Sequence, residues 1–184
     1  MLHSVKALRG SPVSARDEKF GFVVDVYFDD RLWVLRYVVL DTGRPMPQRS
    51  VLVEPACISG FDPSGGLRLG LMRKQVEKKA DWLSELPVYL QHDMSATGLP
   101  GDDHLRSVEF VTGCSVQARD GGLGHVADLL LDDRDWGFPY LVLDTSHWLP
   151  GRKVRVPSAR VQSIGWAERT VRLGVQREAI LTEA

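Results

Sequence analysis

The chain has 184 residues, a formal net charge of −1 and a pI of about 6.5, with 43% hydrophobic and 26% charged residues. That composition suits a globular protein with enough bulk to bury a core, and it argues against a general nucleic-acid or anionic-membrane binder. No apolar run approaches the ~20 residues of a membrane helix, and MLHSVKALRGSP lacks an apolar segment of signal-peptide length, so a cytoplasmic protein without a membrane span is expected.

In chain order, VKALRGSPV (5–13) reads as a first strand with a kink at Gly10. FGFVVDVYF (20–28) and WVLRYVVLD (33–41) show no helical stripe and are rich in Val, Leu and aromatics, as strands are. Asp29, Asp30 and Arg31 between them predict a hairpin tip, because Asp tolerates turn dihedrals and hydrogen-bonds its own backbone. SVLVEP (50–55) alternates as a strand and stops at Pro55. LRLGLM (67–72) is the next strand, with Gly70 as a bulge or close-approach point. MRKQVEKKADWL (72–83) is charged and free of Gly and Pro, which predicts a short helix on which Glu77 and Asp81 can pair with basic neighbours. Residues 84–104 are acidic and carry Pro87, Gly98, Pro100 and Gly101, the pattern of a linker.

Laid on itself with a shift of 103, the chain repeats. FGFVVDVYFDDRLWVLRYVVLDTG (20–43) falls on LGHVADLLLDDRDWGFPYLVLDTS (123–146) without a gap, and a one-residue slip then sets LRLG (67–70) on VRLG (171–174). Roughly two positions in five are identical, against about one in fifteen by chance. The chain is therefore read as a tandem duplication: residues 1–83 with a helical tail, a linker over 84–104, and residues 105–184 ending in a shorter tail, QREAILTEA (176–184). Asp132 and Asp133 repeat the hairpin tip of Asp29 and Asp30. Four to six short strands per unit and few helices predict a mainly β protein of two small antiparallel barrels, closure removing exposed edges.

The pattern G-x-V-x-D-(x3)-D-D-x-x-W, then Y-x-V-L-D-T, then R-x-V-x-V, resembles the PRC-barrel family. That fold occurs in the cytoplasmic domain of the H subunit of the purple-bacterial photosynthetic reaction centre. It also occurs in the C-terminal domain of a ribosome maturation factor that binds a small-subunit ribosomal protein. GHVADLLLDDRDW (124–136) and YLVLDTSHWLPGRKVRVPSARV (140–161) make the second unit the closer match, with Trp148, Leu149, Gly151, Arg152, Lys153 and Pro157 linking into the fourth strand. The first unit has RPMPQRS (44–50) there, with no aromatic and Gln48 in place of Gly. The resemblance implies tandem PRC-type barrels and a docking or scaffold role without enzymatic activity. Its alternatives are an accessory part in a photosynthetic electron-transfer complex and a ribosome or RNA-processing adaptor.

The acids Asp25, Asp29 and Asp30, with Asp128, Asp132 and Asp133, could hold a hard cation, but they lack the spacing and closing Glu of a calcium loop. The turn reading explains both copies, so neither metal nor cofactor is expected. His3, His92, His104, His125 and His147 do not recur between the units, and none stands four residues from another. Asp144, Ser146 and His147 lack the G-x-S-x-G context of a catalytic serine, and DGGLG (120–124) is a turn rather than a phosphate loop. Cys57 and Cys114 read as free thiols. No catalytic residue is expected. The basic cluster Arg152, Lys153 and Arg155 beside Trp148 is the candidate interaction surface for a protein partner, with Arg155 outward and Val154 and Val156 inward. Barrel–barrel pairing with approximate two-fold symmetry, within the chain or in a homo-oligomer, is the expected association.

Overall fold

The computed structural model describes residues 1–43, 50–93, 102–145 and 153–182. It is mainly β, and its halves follow one plan. The first runs β1 (Leu2–Ser4), α1 (Val5–Leu8), β2 (Pro12–Ser14), β3 (Lys19–Asp29), β4 (Val34–Asp41), β5 (Ser50–Val53), β6 (Ile58–Phe61), β7 (Leu67–Leu69) and α2 (Arg73–Val76). A 3₁₀ turn at Trp82–Ser84 and α3 (Val88–Asp93) form its tail. The second runs β8 (Leu105–Ser107), α4 (Val108–Val111), β9 (Ser115–Ala118), β10 (Gly121–Asp132), β11 (Tyr140–Asp144), β12 (Lys153–Pro157), β13 (Val161–Gly165), β14 (Thr170–Leu173) and α5 (Arg177–Thr182). The one-residue slip in the repeat falls between β13 and β14, so that buried Leu67 and Leu69 match buried Val171 and Leu173.

Among the described residues the strands make two seven-stranded sheets. One has the order β5-β4-β3-β2-β7-β6 with β8 added to β3; the other has the order β12-β11-β10-β9-β14-β13 with β1 added to β10. The expectation of closed, wholly antiparallel barrels is corrected on two counts. Pairs β2–β7 and β9–β14 are parallel, so the sheets are mixed, and both sheets are open. Closure is not needed to bury the inner faces, because each half covers the other. A single hydrophobic cluster takes in Val23, Phe28 and Leu40 of the first half together with Val126, Phe138 and Leu143 of the second. The Phe28 and Phe138 rings meet across it with centroids 5.4 Å apart.

The halves also exchange strands. β1 leaves its own half and pairs antiparallel with β10, through Leu2↔Asp132, His3↔Leu131 and Ser4↔Leu130. β8 reciprocates on β3, through Tyr27↔Ser107, Phe28↔Arg106 and Asp29↔Leu105. Between the hairpin tips, Leu35 N–H donates to Trp136 C=O at 2.8 Å and Phe138 N–H to Trp33 C=O at 2.7 Å. Each half thus contributes the same contacts to the other, the arrangement of a two-fold pair within one chain.

Three local expectations change. Residues 5–13 are not one strand: Val5–Leu8 is a helical turn whose first amides are capped by Ser4, its Oγ accepting from Ala7 N–H at 3.1 Å, and the strand resumes at Pro12. Ser107 caps α4 in the same way, accepting from Phe110 N–H at 3.0 Å. The helix read over 72–83 is only Arg73–Val76, with Glu77 paired to Arg73 at 2.9 Å, while Asp81 caps the following 3₁₀ turn through Leu83 N–H. The stretch read as a linker contains α3. Pro87 stands just before that helix, where a missing N–H and a fixed φ do no harm.

Candidate functional site

Asp29 and Asp132 end the long strands and shape the hairpin tips. Asp29 Oδ1 accepts from Arg31 N–H at 2.9 Å and Leu32 N–H at 2.8 Å, and its C=O accepts from Trp33 N–H at 2.8 Å. That turn drives Trp33 into the left-handed region, φ 56°, and Trp136 follows it at 59°. Asp132 accepts from Arg134 N–H at 3.1 Å, and the Arg134 guanidinium across the same carboxylate holds it well below the usual carboxylate range. The next acids do something further. Asp30 takes Arg106 Nε at 2.5 Å and His104 Nδ1 at 2.9 Å, both from the chain entering or forming β8. Asp133 meets His3 Nε2, on β1, at 2.8 Å. Asp30 and Asp133 therefore dock the exchanged strands. Among the described residues no group of three or more His, Cys, Asp or Glu side chains is placed to hold a metal ion.

Asp25 and Asp128 complete the exchange from within the sheets. Asp25 accepts from Ser107 Oγ at 2.5 Å, Glu109 N–H at 3.0 Å and Val26 N–H at 2.8 Å. Asp128 accepts from Ser4 Oγ at 2.5 Å, Lys6 N–H at 2.9 Å and Leu129 N–H at 2.8 Å. Each carboxylate thereby caps the first turn of a helix belonging to the other half. Asp25 is only 4% exposed, and burial pushes its carboxyl up to about 6 against the hydrogen bonds that favour its charge. Reading the sequence for chemistry missed this role. The usable signal was that Ser4 and Asp25 recur together as Ser107 and Asp128.

The outer faces of the two sheets differ. On the first, Tyr27, Val39, Leu52 and Leu105 form a second buried cluster with Trp82 packed against it. The tail lies along the edge of β5, where Ala80 C=O accepts from Leu52 N–H at 2.9 Å and Asp81 bridges to Val51. On the second sheet the matching positions are Leu130, Val142, Arg155 and Leu2. Leu2 is 38% exposed, Val142 is half-buried, and Arg155 and its neighbour Lys153 are exposed, while Val154 and Val156 are buried. Trp148 and Arg152 of the candidate surface lie outside the described residues, as do Ser146 and His147. Cys57 and Cys114 are free thiols, the first half-buried and the second buried. No helix among the described residues is long and apolar enough to cross a membrane. No family model matches the chain, and no curated protein matches it.

Proposed function

We propose that the chain is a non-enzymatic binding and scaffold protein of the PRC-barrel type, acting through protein–protein contacts. The observation that carries this reading is the contrast between its two outer faces. The first face is covered by an acidic, apolar segment of the same chain, Asp81-Trp82-Leu83-Ser84-Glu85-Leu86. The matching face of the second half has exposed Leu2 and half-buried Val142 around buried Leu130, beside the exposed cations Lys153 and Arg155, and among the described residues no bridge runs along β12 as Asp81 does along β5. A duplicated surface that binds such a segment in one copy is suited to bind a similar one in the other. The partner is accordingly a protein segment carrying Trp and Leu anchors beside acidic residues, its charge complementary to the rim.

A labelled peptide with the sequence of residues 79–90 serves as the probe. Saturable binding that weakens with added salt is the expected result, and joint Lys153→Glu and Arg155→Glu exchange should lower affinity by about tenfold or more. Binding unchanged by the charge reversal, or no binding at all, would remove the second face as the contact surface.

A further inference from the structure

The covered face of the first half holds a recess of about 340 Å³. Asp25, Tyr27, Ser50, Trp82, Tyr89 and Glu109 line it. Two of these are acids and three are aromatic, and among the described residues no basic side chain lines the recess. Arg9 pairs with Glu109 at 2.6 Å and donates from Nε to Val24 C=O at 3.1 Å. Among the described residues, two carboxylates thus stand against one guanidinium at the recess.

Capping the exchanged helix does not account for this lining. Asp128 performs the same capping with Leu130, Lys6 and Lys153 at the positions of Tyr27, Glu109 and Ser50. The second half thus carries two ammonium groups of its own where the first has an acid and a serine. Trp82 and Tyr89 come from the first tail, Tyr89 held by stacking on Phe110 of α4 with centroids 4.7 Å apart. We propose that the recess binds a small organic cation with an apolar body, its ammonium set against Asp25 and its body against Tyr27, Trp82 and Tyr89. The ligand supplies the positive charge that Lys6 and Lys153 bring at the matching sequence positions of the second half. This site is separate from the surface assigned above to a protein partner.

Isothermal titration of the full chain with benzylammonium, benzyl alcohol, benzoate and a blocked lysine amide tests the proposal. Benzylammonium should bind with a Kd of ~1 mM or tighter and at least about tenfold more tightly than benzyl alcohol, with no binding of benzoate. Ser50→Lys, which installs the residue of the second half, should lower benzylammonium affinity at least about tenfold. Tyr89→Ala, on the tail rather than the sheet, should weaken it as well and serves if the lysine variant does not fold. The absence of saturable heat, equal binding of the alcohol, or unchanged affinity in the variants would overturn the proposal. So would blocked lysine binding as tightly as benzylammonium, which would assign the recess to a partner's side chain.

Discussion

Gly21→Ala or Gly124→Ala should cost at least ~3–5 kcal/mol of stability, a large part of the ~5–15 kcal/mol that holds an ordinary domain folded. A Cβ added to Gly21 would lie 1.8 Å from the carbonyl oxygen of Asp41, and one added to Gly124 would lie 2.0 Å from that of Asp144. Both glycines also have positive φ, 57° and 122°. No rotamer change relieves such a clash, because the blocking atom is backbone in the neighbouring strand of a hydrogen-bonded ladder. Gly10 and Gly113 provide the control. They have φ of 79° and 91° but nothing within 4 Å of an added Cβ, so alanine there meets only the backbone strain of ~1–2 kcal/mol. Denaturant unfolding of the four variants checks the contrast. Gly21→Ala unfolding within about 1 kcal/mol of the parent would show that β3 and β4 do not pack this closely. The glycine of the G-x-V-x-D pattern is thereby explained as a strand-contact residue.

Asp25→Ala should cost ~2–4 kcal/mol, because it leaves Ser107 Oγ, Glu109 N–H and Val26 N–H without their acceptor in a buried place. Asp128→Ala should cost less, since Asp128 is only half-buried and water can reach part of its site. Asp25→Asn keeps the shape and gives a pH signature. The carboxyl pKa rises from 3.8 to about 6 on folding, with burial the main cause. The folded protein therefore holds this proton more tightly than the unfolded chain. Its favourable contribution is complete below pH 3.8, falls as pH rises towards 6, and is flat above that. Asn does not titrate, so Asp25→Asn should gain stability relative to the parent across that window, by up to ~3 kcal/mol. Parallel unfolding curves for the two proteins from pH 4 to 7 would contradict the buried charge.

The hairpins and the repeat were legible because they rest on local patterns: Val- and Leu-rich strands, Asp at the tips, and the same residues 103 positions on. The outward placement of Arg155 follows from simple alternation with Val154 and Val156. The exchange of β1 and β8 was not legible for a physical reason. Duplicated halves offer Leu2–Ser4 nearly equivalent partners in β3 and β10, and the choice depends on tertiary contacts such as His3 with Asp133 and Arg106 with Asp30. The open sheets are not legible for a related reason, since the cover for each inner face comes from the other half. The parallel pairs β2–β7 and β9–β14 join strands more than 50 residues apart, beyond the reach of any local signal. The aromatic recess was hidden because Tyr89 stands after Pro87, in a stretch whose Pro and Gly content reads as a connection.

Reciprocal strand exchange makes the two repeats one folded body. Cutting the chain within residues 94–101, at an inserted protease site, tests it most directly. Fragments 1–93 and 102–184 should co-elute in native gel filtration and unfold in a single transition, because each holds a strand in the other's sheet. Fragments that separate under native conditions, each with its own cooperative transition, would contradict it.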